Sequence, residues 1–508
     1  MREQLVLLPE YLTAHLQLTL LALLLSTVVS LPLGIAIARF RWLEPLTLAL
    51  VGIIQTVPGL ALLAVMVPLL AAMKLPSIGF LPAIVGLTLY GLFPILRNTV
   101  TGIRNVDSAL KEAARGVGMT PMQQLWRVEI PLALPVIVAG LRTATVWLVG
   151  ITTLSTPIGA TSLGNYIFSG LQTQNYSSVL IGCVAAGGLA LLLDGMIRLL
   201  ETGVAARRRG QVLISLAVMT SLCMYVGITL IAPIANARTR PLVIGAKTFT
   251  EQYVLSSILA QWIEKETNRP TILMQSLGSS VAFNALTTGE IDLYVDYSGT
   301  LWVNEMHRDS GPSTRRQILN ELRQFLDREH NITMPAMLGF ENAYALAVRN
   351  DDATRLTLRQ ISDLRSYAAT LVLGGDYEFF VRPEWTAIQD AYGLKFKQLR
   401  TMDSTLMYQA IVQKNVDVIS AFSSDGRVAA YDLTLLEDDL SVIPPYDAVV
   451  LASPRVTQEY PEVIQALAKL DGSINGDRMR TMNLAVDEMG EHPALVAERF
   501  VRALQRYK

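Results

Sequence analysis

Residues 212–246 read VLISLAVMTSLCMYVGITLIAPIANARTRPLVIGA, and the character of the chain changes inside that stretch. Val212 to Pro233 is apolar over roughly the 20 positions that a helix needs to cross a bilayer core of about 30 Å. Asn236-Ala237-Arg238-Thr239-Arg240 follows as a short polar linker, and Leu242 to Ala246 then reads as a buried strand. The stretch therefore joins a membrane half to a water-soluble half.

Composition extends the division to the whole chain. Of 508 residues, 51% are hydrophobic and 17% charged, but that average hides two populations. Residues 1 to about 235 are dense in Leu, Val, Ile and Ala, with few charges outside short loops, whereas the rest carries an ordinary globular mixture. The expected organisation is a transmembrane domain over 1–211, a last transmembrane helix and linker over 212–240, and a soluble domain of two lobes over 241–508.

Upstream of the quoted stretch, apolar runs at 16–38, 46–73, 79–97, 133–154 and 177–200 bring the expected transmembrane helices to about six. The run 46–73 is long and holds Pro58, so it is kinked, broken or two short segments. The first run begins only after Glu10, lacks a basic lead and is followed by more spans, so it is expected to stay as a span rather than be cleaved. Positive charge in short loops marks the cytoplasmic side. Arg39 and Arg41 follow the first span, Arg97, Arg104, Lys111, Arg115 and Arg127 occupy the loop region after the third, and Arg207 to Arg209 follow the fifth. All fall on one side if the N-terminus is outside, and the sixth span then delivers the soluble half to the outside. Within the spans, Gln55 and Thr56 before Pro58 could line a solute path at a helix break or be satisfied between packed helices. Asp194 and Arg198, one turn apart, read as a pair reaching for the interface.

Several classes of function are set aside. The net charge of −1 gives no sign of a nucleic-acid partner. Cys183 and Cys223 both lie in apolar stretches, so the soluble half cannot hold a disulfide. His15, His307, His330 and His492 lack ligand spacing, and no metal site or cofactor is expected. Without a GxxxxGK[ST] loop the chain is not expected to hydrolyse ATP itself, and no nucleophile motif suggests an enzyme.

The loop after the third span reads EAARGVGMTPMQQLWRVEIP from Glu112 to Pro131. Glu112, Ala113, Ala114, Gly118, Val128, Ile130 and Pro131 resemble the EAA motif of bacterial ABC import permeases. The resemblance implies a cytoplasmic helix-turn-helix that docks into a cleft of a separate ATP-binding subunit. In that reading the small Ala113 and Ala114 permit close approach and Gly118 permits the turn.

In the soluble half, strand-then-helix units recur at Leu242–Ala246, Thr271–Gln275, Ile291–Val295, Ala343–Val348, Thr370–Gly374 and Asp417–Ala421. This alternation argues for an α/β domain with mostly parallel sheets and a cleft between two lobes. GAKTFTEQ (245–252), VDYSGT (295–300), ENAYALAV (341–348), AFSSDGR (421–427), LLEDD (435–439) and IPPY (443–446) resemble the receptors of osmoprotectant ABC importers, which bind glycine betaine, choline and carnitine. The likeness covers essentially all of 242–505, and the membrane half resembles the permease of the same systems. It implies a membrane all-α ABC importer permease core followed by a periplasmic-binding-protein-like domain.

A trimethylammonium group offers no hydrogen-bond donor, so a protein holds it on aromatic faces. The resemblance implies that Tyr297, Tyr344 and Phe422 supply rings and that Gln252 and Thr300 contact the ligand, while Asp425, following the strand that carries Phe422, would favour a cation by its charge. A further aromatic position, in MNLAVD (482–487), is read as Leu484, which thins the cage. Tyr253 and Tyr294 read as core aromatics, and Arg382 and Glu384 as a solvated loop.

The leading expectation is ATP-driven import of a quaternary-ammonium solute, with this chain as permease and receptor in a bacterial cytoplasmic (inner) membrane. Ergothioneine or another betaine derivative is the alternative ligand, and a transmembrane ligand sensor the remote alternative. A complete transporter needs two membrane subunits and two ATPases, so a homodimer is expected. Lobe closure is expected to hinge near Ala347 and Pro445.

Overall fold

The computed structural model describes residues 5, 7–40, 42–172, 175–236, 240–308, 314–376 and 378–506. Arg41 and the linker residues 237–239 lie outside them. The chain divides into two compact units, one of residues 1–168 with 177–240, the other of 241–508 with 169–176.

The first unit is helical: α1 Leu8–Arg39, α2 Leu43–Thr56, α3 Gly59–Ala72, α4 Phe80–Arg104, α5 Ser108–Gly116, α6 Ile130–Thr152, α7 Gly164–Gln172, α8 Tyr176–Ala205 and α9 Arg209–Asn236. Among the described residues, α1, α4, the stretch Pro121–Ile158 containing α6, α8 and Arg209–Ile231 of α9 are each long and apolar enough to cross a membrane. Helices α2 and α3 meet at a 99° bend, and counted as one span they bring the total to six. Each has 14 residues, about 21 Å of helix, too short to cross alone. Val57 and Pro58 are extended between them, and proline has no N–H to continue the helix. The freed Val57 carbonyl accepts from the Tyr90 hydroxyl at 2.8 Å. Gln55 Nε2 donates to the Tyr90 carbonyl of α4 at 3.4 Å, whereas exposed Thr56 donates Oγ1 to the Ile53 carbonyl of its own helix at 2.7 Å. Asp194 does not rely on Arg198: it receives two hydrogen bonds from Arg142 of α6, at 2.5 and 3.1 Å.

The second unit holds two five-stranded sheets. The first contains β1 Leu242–Lys247, β2 Thr271–Leu277, β3 Leu293–Tyr297, β4 Thr333–Glu341 and β10 Asp447–Ala452, in the order β2-β1-β3-β10-β4. The second contains β5 Tyr344–Arg349, β6 Val372–Gly375, β7 Gln398–Thr401, β8 Val418–Phe422 and β9 Leu433–Leu436, in the order β7-β6-β8-β5-β9. The expectation of mostly parallel sheets needs correcting. Strand β10 is antiparallel to both β3 and β4, and β5 to both β8 and β9. Each reversed strand begins just after the chain crosses between lobes, at 342–343 and at 437–446. The first crossing is thus Asn342-Ala343; Ala347 lies in mid-strand, paired with Ile419 and Leu435. Pro445 does lie in the second crossing, where its carbonyl accepts from Ser298 Oγ at 2.8 Å.

Candidate functional site

Helices that follow strands begin at the cleft edge of their sheet, so strand ends and first helical turns from both lobes face one space. A cavity of about 270 Å³ lies there, room for a small solute rather than a peptide. Tyr297 at the end of β3, Tyr344 at the start of β5, Phe422 at the end of β8 and Tyr446 before β10 all line it, with Phe249. Tyr344 is the hub: its ring centroid lies 5.0 Å from Phe422 and 6.2 Å from Tyr446, the latter edge-on. Gly299 makes room for the Tyr446 ring, since a Cβ there would fall 2.8 Å from it.

The charged lining is unbalanced. Glu251, Asp376, Glu378, Asp403, Asp425 and Asp487 face Lys247, Arg382 and Arg427. Some of these are already engaged. Arg427 grips Asp425 with two side-chain hydrogen bonds, at 3.0 and 2.6 Å, and Lys247 is ion-paired with buried Asp296. Glu251, at the first turn of the helix Thr250–Thr267, accepts from the Tyr297 hydroxyl at 2.5 Å, Asn342 Nδ2 at 3.1 Å and Asn483 Nδ2 at 3.0 Å. Burial pushes its carboxyl above the ordinary range, against those donors and Ser424, which pull it down. Burial likewise raises Asp376, opposed by the N–H groups of Phe379 and Glu378. Asp487, beside Thr250 and Arg427, is pushed up to about 7, again by burial first, with Arg427 opposing.

Of the six residues expected at a ligand, Tyr297, Tyr344, Phe422, Thr300 and Asp425 line the cavity. Gln252 stands behind the wall. It is buried, donates to the Val295 carbonyl at 3.0 Å and the Tyr297 hydroxyl at 3.2 Å, and accepts from Lys247 N–H at 3.3 Å. Leu484 is absent from the lining; it packs on Gly426, where a Cβ would meet its own at 2.7 Å. Tyr446, within the IPPY segment, and Phe249 are the rings beyond the three expected, and the lining residues of the helix Gly476–Asp487 are Asn483 and Asp487. Arg382 and Glu384 are not a solvated loop. Arg382 stacks 5.4 Å from the Tyr344 centroid, and Glu384 is fully buried, accepting from the Tyr446 hydroxyl. Tyr253 and Tyr294 are core aromatics whose hydroxyls meet Ser276 and Asp296.

In the first unit, residues 107–131 form the short helix α5, a turn, and a helical stretch that starts at Pro121 and runs on into α6. Asp107 caps α5 through the Ala109 N–H at 2.9 Å. Gly118 takes φ +80° at the turn, and Thr120 with Gln123 forms a capping box before Pro121. Ala114 is buried and Ile130 half-buried, while Glu112, Ala113, Gly118 and Pro131 are exposed. Leu110, Val117, Met122 and Trp126 are exposed as well. Buried Glu129 anchors the segment, accepting from Gln124 at 2.7 Å and pairing with Arg39 at 3.4 Å.

Residues 240–503 match the family described as the substrate binding domain of ABC-type glycine betaine transport systems. Residues 30–206 match the binding-protein-dependent transport system inner membrane component. The ergothioneine transport permease/ergothioneine binding protein EgtU of Helicobacter pylori is 31% identical over 470 residues, covering 90% of this chain and 83% of that protein. The choline transport system permease protein OpuBB of Bacillus subtilis is 43% identical over 37% of this chain and 83% of its own length. The carnitine transport binding protein OpuCC of Listeria monocytogenes is 31% identical over 51% of this chain and 85% of its own. These relatives are transport proteins rather than enzymes, and permeases of this kind work in a membrane with a separate ATP-binding subunit and a small ligand. The chain therefore belongs to the ABC-type glycine betaine transport family, carrying in one polypeptide both the inner-membrane permease and the substrate-binding domain.

Proposed function

We propose that the chain imports a quaternary-ammonium compatible solute such as glycine betaine, choline or carnitine, driven by ATP hydrolysed on a separate subunit. The observation that carries the reading is the set of rings from Tyr297, Tyr344, Phe422 and Tyr446 around one cavity where six carboxyl side chains face three cationic ones. A cation over an aromatic face gains about 0.5–2 kcal/mol, more once desolvated. Thr300 and Asp425 complete the ligand contacts in this reading, and Gln252 acts through Tyr297 as a positioning residue. A second reading, import of ergothioneine, is favoured by the relative EgtU, which aligns along nine-tenths of the chain.

The permease occupies 1–211, the last span and linker 212–240, and the receptor 241–508. Counting α2 with α3 as one broken span keeps Arg39, the loop Arg104–Arg127 and Arg207–Arg209 on one side, the cytoplasmic side of a bacterial inner membrane. A re-entrant α2–α3 pair would split those charges between the two sides. With six spans and the N-terminus outside, the receptor faces outward. The ATP-binding subunit docks on the segment Glu112–Pro131: Ala113 and Ala114 allow close approach, Gly118 sets the turn, and Glu112, Ile130 and Pro131 complete the motif. Two copies of the chain form the pore.

Calorimetric titration of the full chain in lipid nanodiscs with glycine betaine, choline, carnitine and ergothioneine tests the ligand class. Tyr344→Ala is expected to weaken binding about a hundredfold or more, while Tyr344→Phe, which keeps the ring face, holds affinity within about threefold. No heat with any of the four from folded protein would sink the reading.

A further inference from the structure

Charged side chains within membrane spans are costly and persist where a partner answers them. Arg142 is the single charged side chain of α6, and it meets two carboxylates, both on α8. Asp194, about 16 Å inside the end of α8 at Ala205, accepts from Arg142 Nε at 2.5 Å and Nη2 at 3.1 Å. Glu201 follows two turns further along the same helix face, about 10 Å on. It reaches back so that its Oε2 stands 3.6 Å from Arg142 Nη1. That oxygen is buried and accepts no hydrogen bond among the described residues. All three side chains are half-buried, whereas Arg198, between the two acids on α8, is exposed and pairs with neither.

One carboxylate neutralises one guanidinium, so a static tie between α6 and α8 needs Asp194 alone. A second carboxylate on the same face adds uncompensated charge at membrane depth, and a static tie gives no reason to keep it. The arrangement does suit a tie with two positions. Helix α6 belongs to the helical stretch Pro121–Ile158, which begins inside the segment Glu112–Pro131. Displacement of that segment along the membrane normal drives α6 along α8. A shift of less than one turn toward Ala205 takes Arg142 off Asp194 and onto Glu201, and the forked donors of the guanidinium hold one acid before releasing the other. We propose that Arg142, Asp194 and Glu201 form a two-position ion-pair switch between α6 and α8. The Asp194 position is the one occupied in this structure, and the Glu201 position serves the other half of the transport cycle. One packed helix sliding past another between two discrete contacts is a recurrent form of switching, and here no step leaves a bare charge in the bilayer. The inference rests on the transport reading, in which an ATP-binding subunit moves the segment Glu112–Pro131.

The test measures uptake of radiolabelled glycine betaine, choline, carnitine and ergothioneine by cells that carry the full chain and its ATP-binding subunit. Chain abundance in the membrane and ligand affinity in nanodiscs are read alongside. Glu201→Gln keeps the shape of the side chain and leaves the Arg142–Asp194 bonds in place. It is expected to lower the maximal uptake rate at least about fivefold, with affinity and abundance held within about twofold. An unchanged maximal rate overturns the switch, because a static tie does not use Glu201. Should Glu201→Gln fail to insert, Glu201→Asp keeps the charge and shortens the reach. A rate about threefold lower is then expected, and an unchanged one overturns the switch. Exchanging the pair, Arg142→Asp with Asp194→Arg, rebuilds the static tie but leaves Glu201 on the helix that now carries the cation, with no second position to offer. Uptake restored to the wild-type rate by that exchange overturns the switch too; a rate still at least about fivefold low is expected. Wild-type cells that take up none of the four overturn the transported-solute reading and this inference with it, whereas wild-type uptake that Glu201→Gln leaves intact overturns the switch alone.

Discussion

The two lobes of the soluble unit are built to one plan, three parallel strands, a reversed strand arriving from a crossover and an edge strand, yet they bring different chemistry to the cleft. From the first lobe comes Glu251, a buried carboxylate surrounded by donors from Tyr297, Asn342, Asn483 and Ser424. From the second comes Asp376, whose Oδ2 meets none. Shared topology explains why strand ends and first helical turns converge on the cleft. It does not set how many of their polar atoms are already spoken for. The Glu251 carboxyl, met on both oxygens, ties the first lobe to the crossovers and supports the rings, whereas Asp376 is held through one oxygen only.

Glu251→Leu gives the harshest test of that contrast. It strands the Tyr297 hydroxyl and the Asn342 amide in a buried site and leaves Asn483 with its Ser424 bond alone, and the expected cost is about 4 kcal/mol at about 1–3 kcal/mol per unmet donor, net of relaxation. Asp376→Asn, which keeps its turn contacts, is expected to stay within about 0.5 kcal/mol of wild type. Chemical denaturation of the full chain, followed by tryptophan fluorescence, measures both. Equal losses in the two variants would erase the distinction between a carboxyl met on both oxygens and one met on a single oxygen.

Asp487 sharpens the comparison because it stands where the lobes meet, accepting from Thr250 at 2.5 Å with Arg427 Nε 4.0 Å away. Its carboxyl is raised to about 7 in the folded chain, against about 3.9 when unfolded. The protonated form is the one the fold favours. Its stabilisation is complete below pH about 4 and is lost as pH rises toward 7. At about 1.4 kcal/mol per pKa unit the ceiling is roughly 4 kcal/mol, and about 2 kcal/mol is expected once the site relaxes around the charge. Asp487→Asn removes the dependence, so its stability relative to wild type should climb by about that amount between pH 4.5 and 7.5. Parallel pH profiles for the two proteins would show that Asp487 does not titrate differently on folding.

Much of this architecture is legible in residue order, and what is not has identifiable causes. Strands β1, β2, β3, β5, β6 and β8 stand close to where apolar runs place them, because each is a short buried segment bounded by turn residues. Strand β7, Gln398–Thr401, is exposed at every position and has no apolar alternation to betray it. Strand β10 is buried throughout, but its direction depends on a crossover that no local pattern encodes. The break at Val57-Pro58 is signalled by the proline, whereas its 99° angle depends on packing around Tyr90. At the site, Glu251 and Gln252 are neighbours on a helix, where successive residues point about 100° apart. One faces the cleft and the other the back of Tyr297, and adjacency alone cannot tell them apart.

The same difficulty accounts for Leu484, where a residue taken from its sequence neighbourhood for the missing ring turns out to lie one position from the lining residue Asn483. Leu484→Tyr is therefore expected to leave ligand affinity within about threefold, since Leu484 packs beside Gly426 and is not among the residues that line the cavity. Overpacking there should cost about 1–2 kcal/mol of stability. Tyr446→Leu at the observed fourth wall should instead weaken binding about tenfold, the loss of one cation–ring contact. A tyrosine at 484 that tightened binding severalfold would mean that the helix Gly476–Asp487 turns its other face to the cleft when ligand is bound.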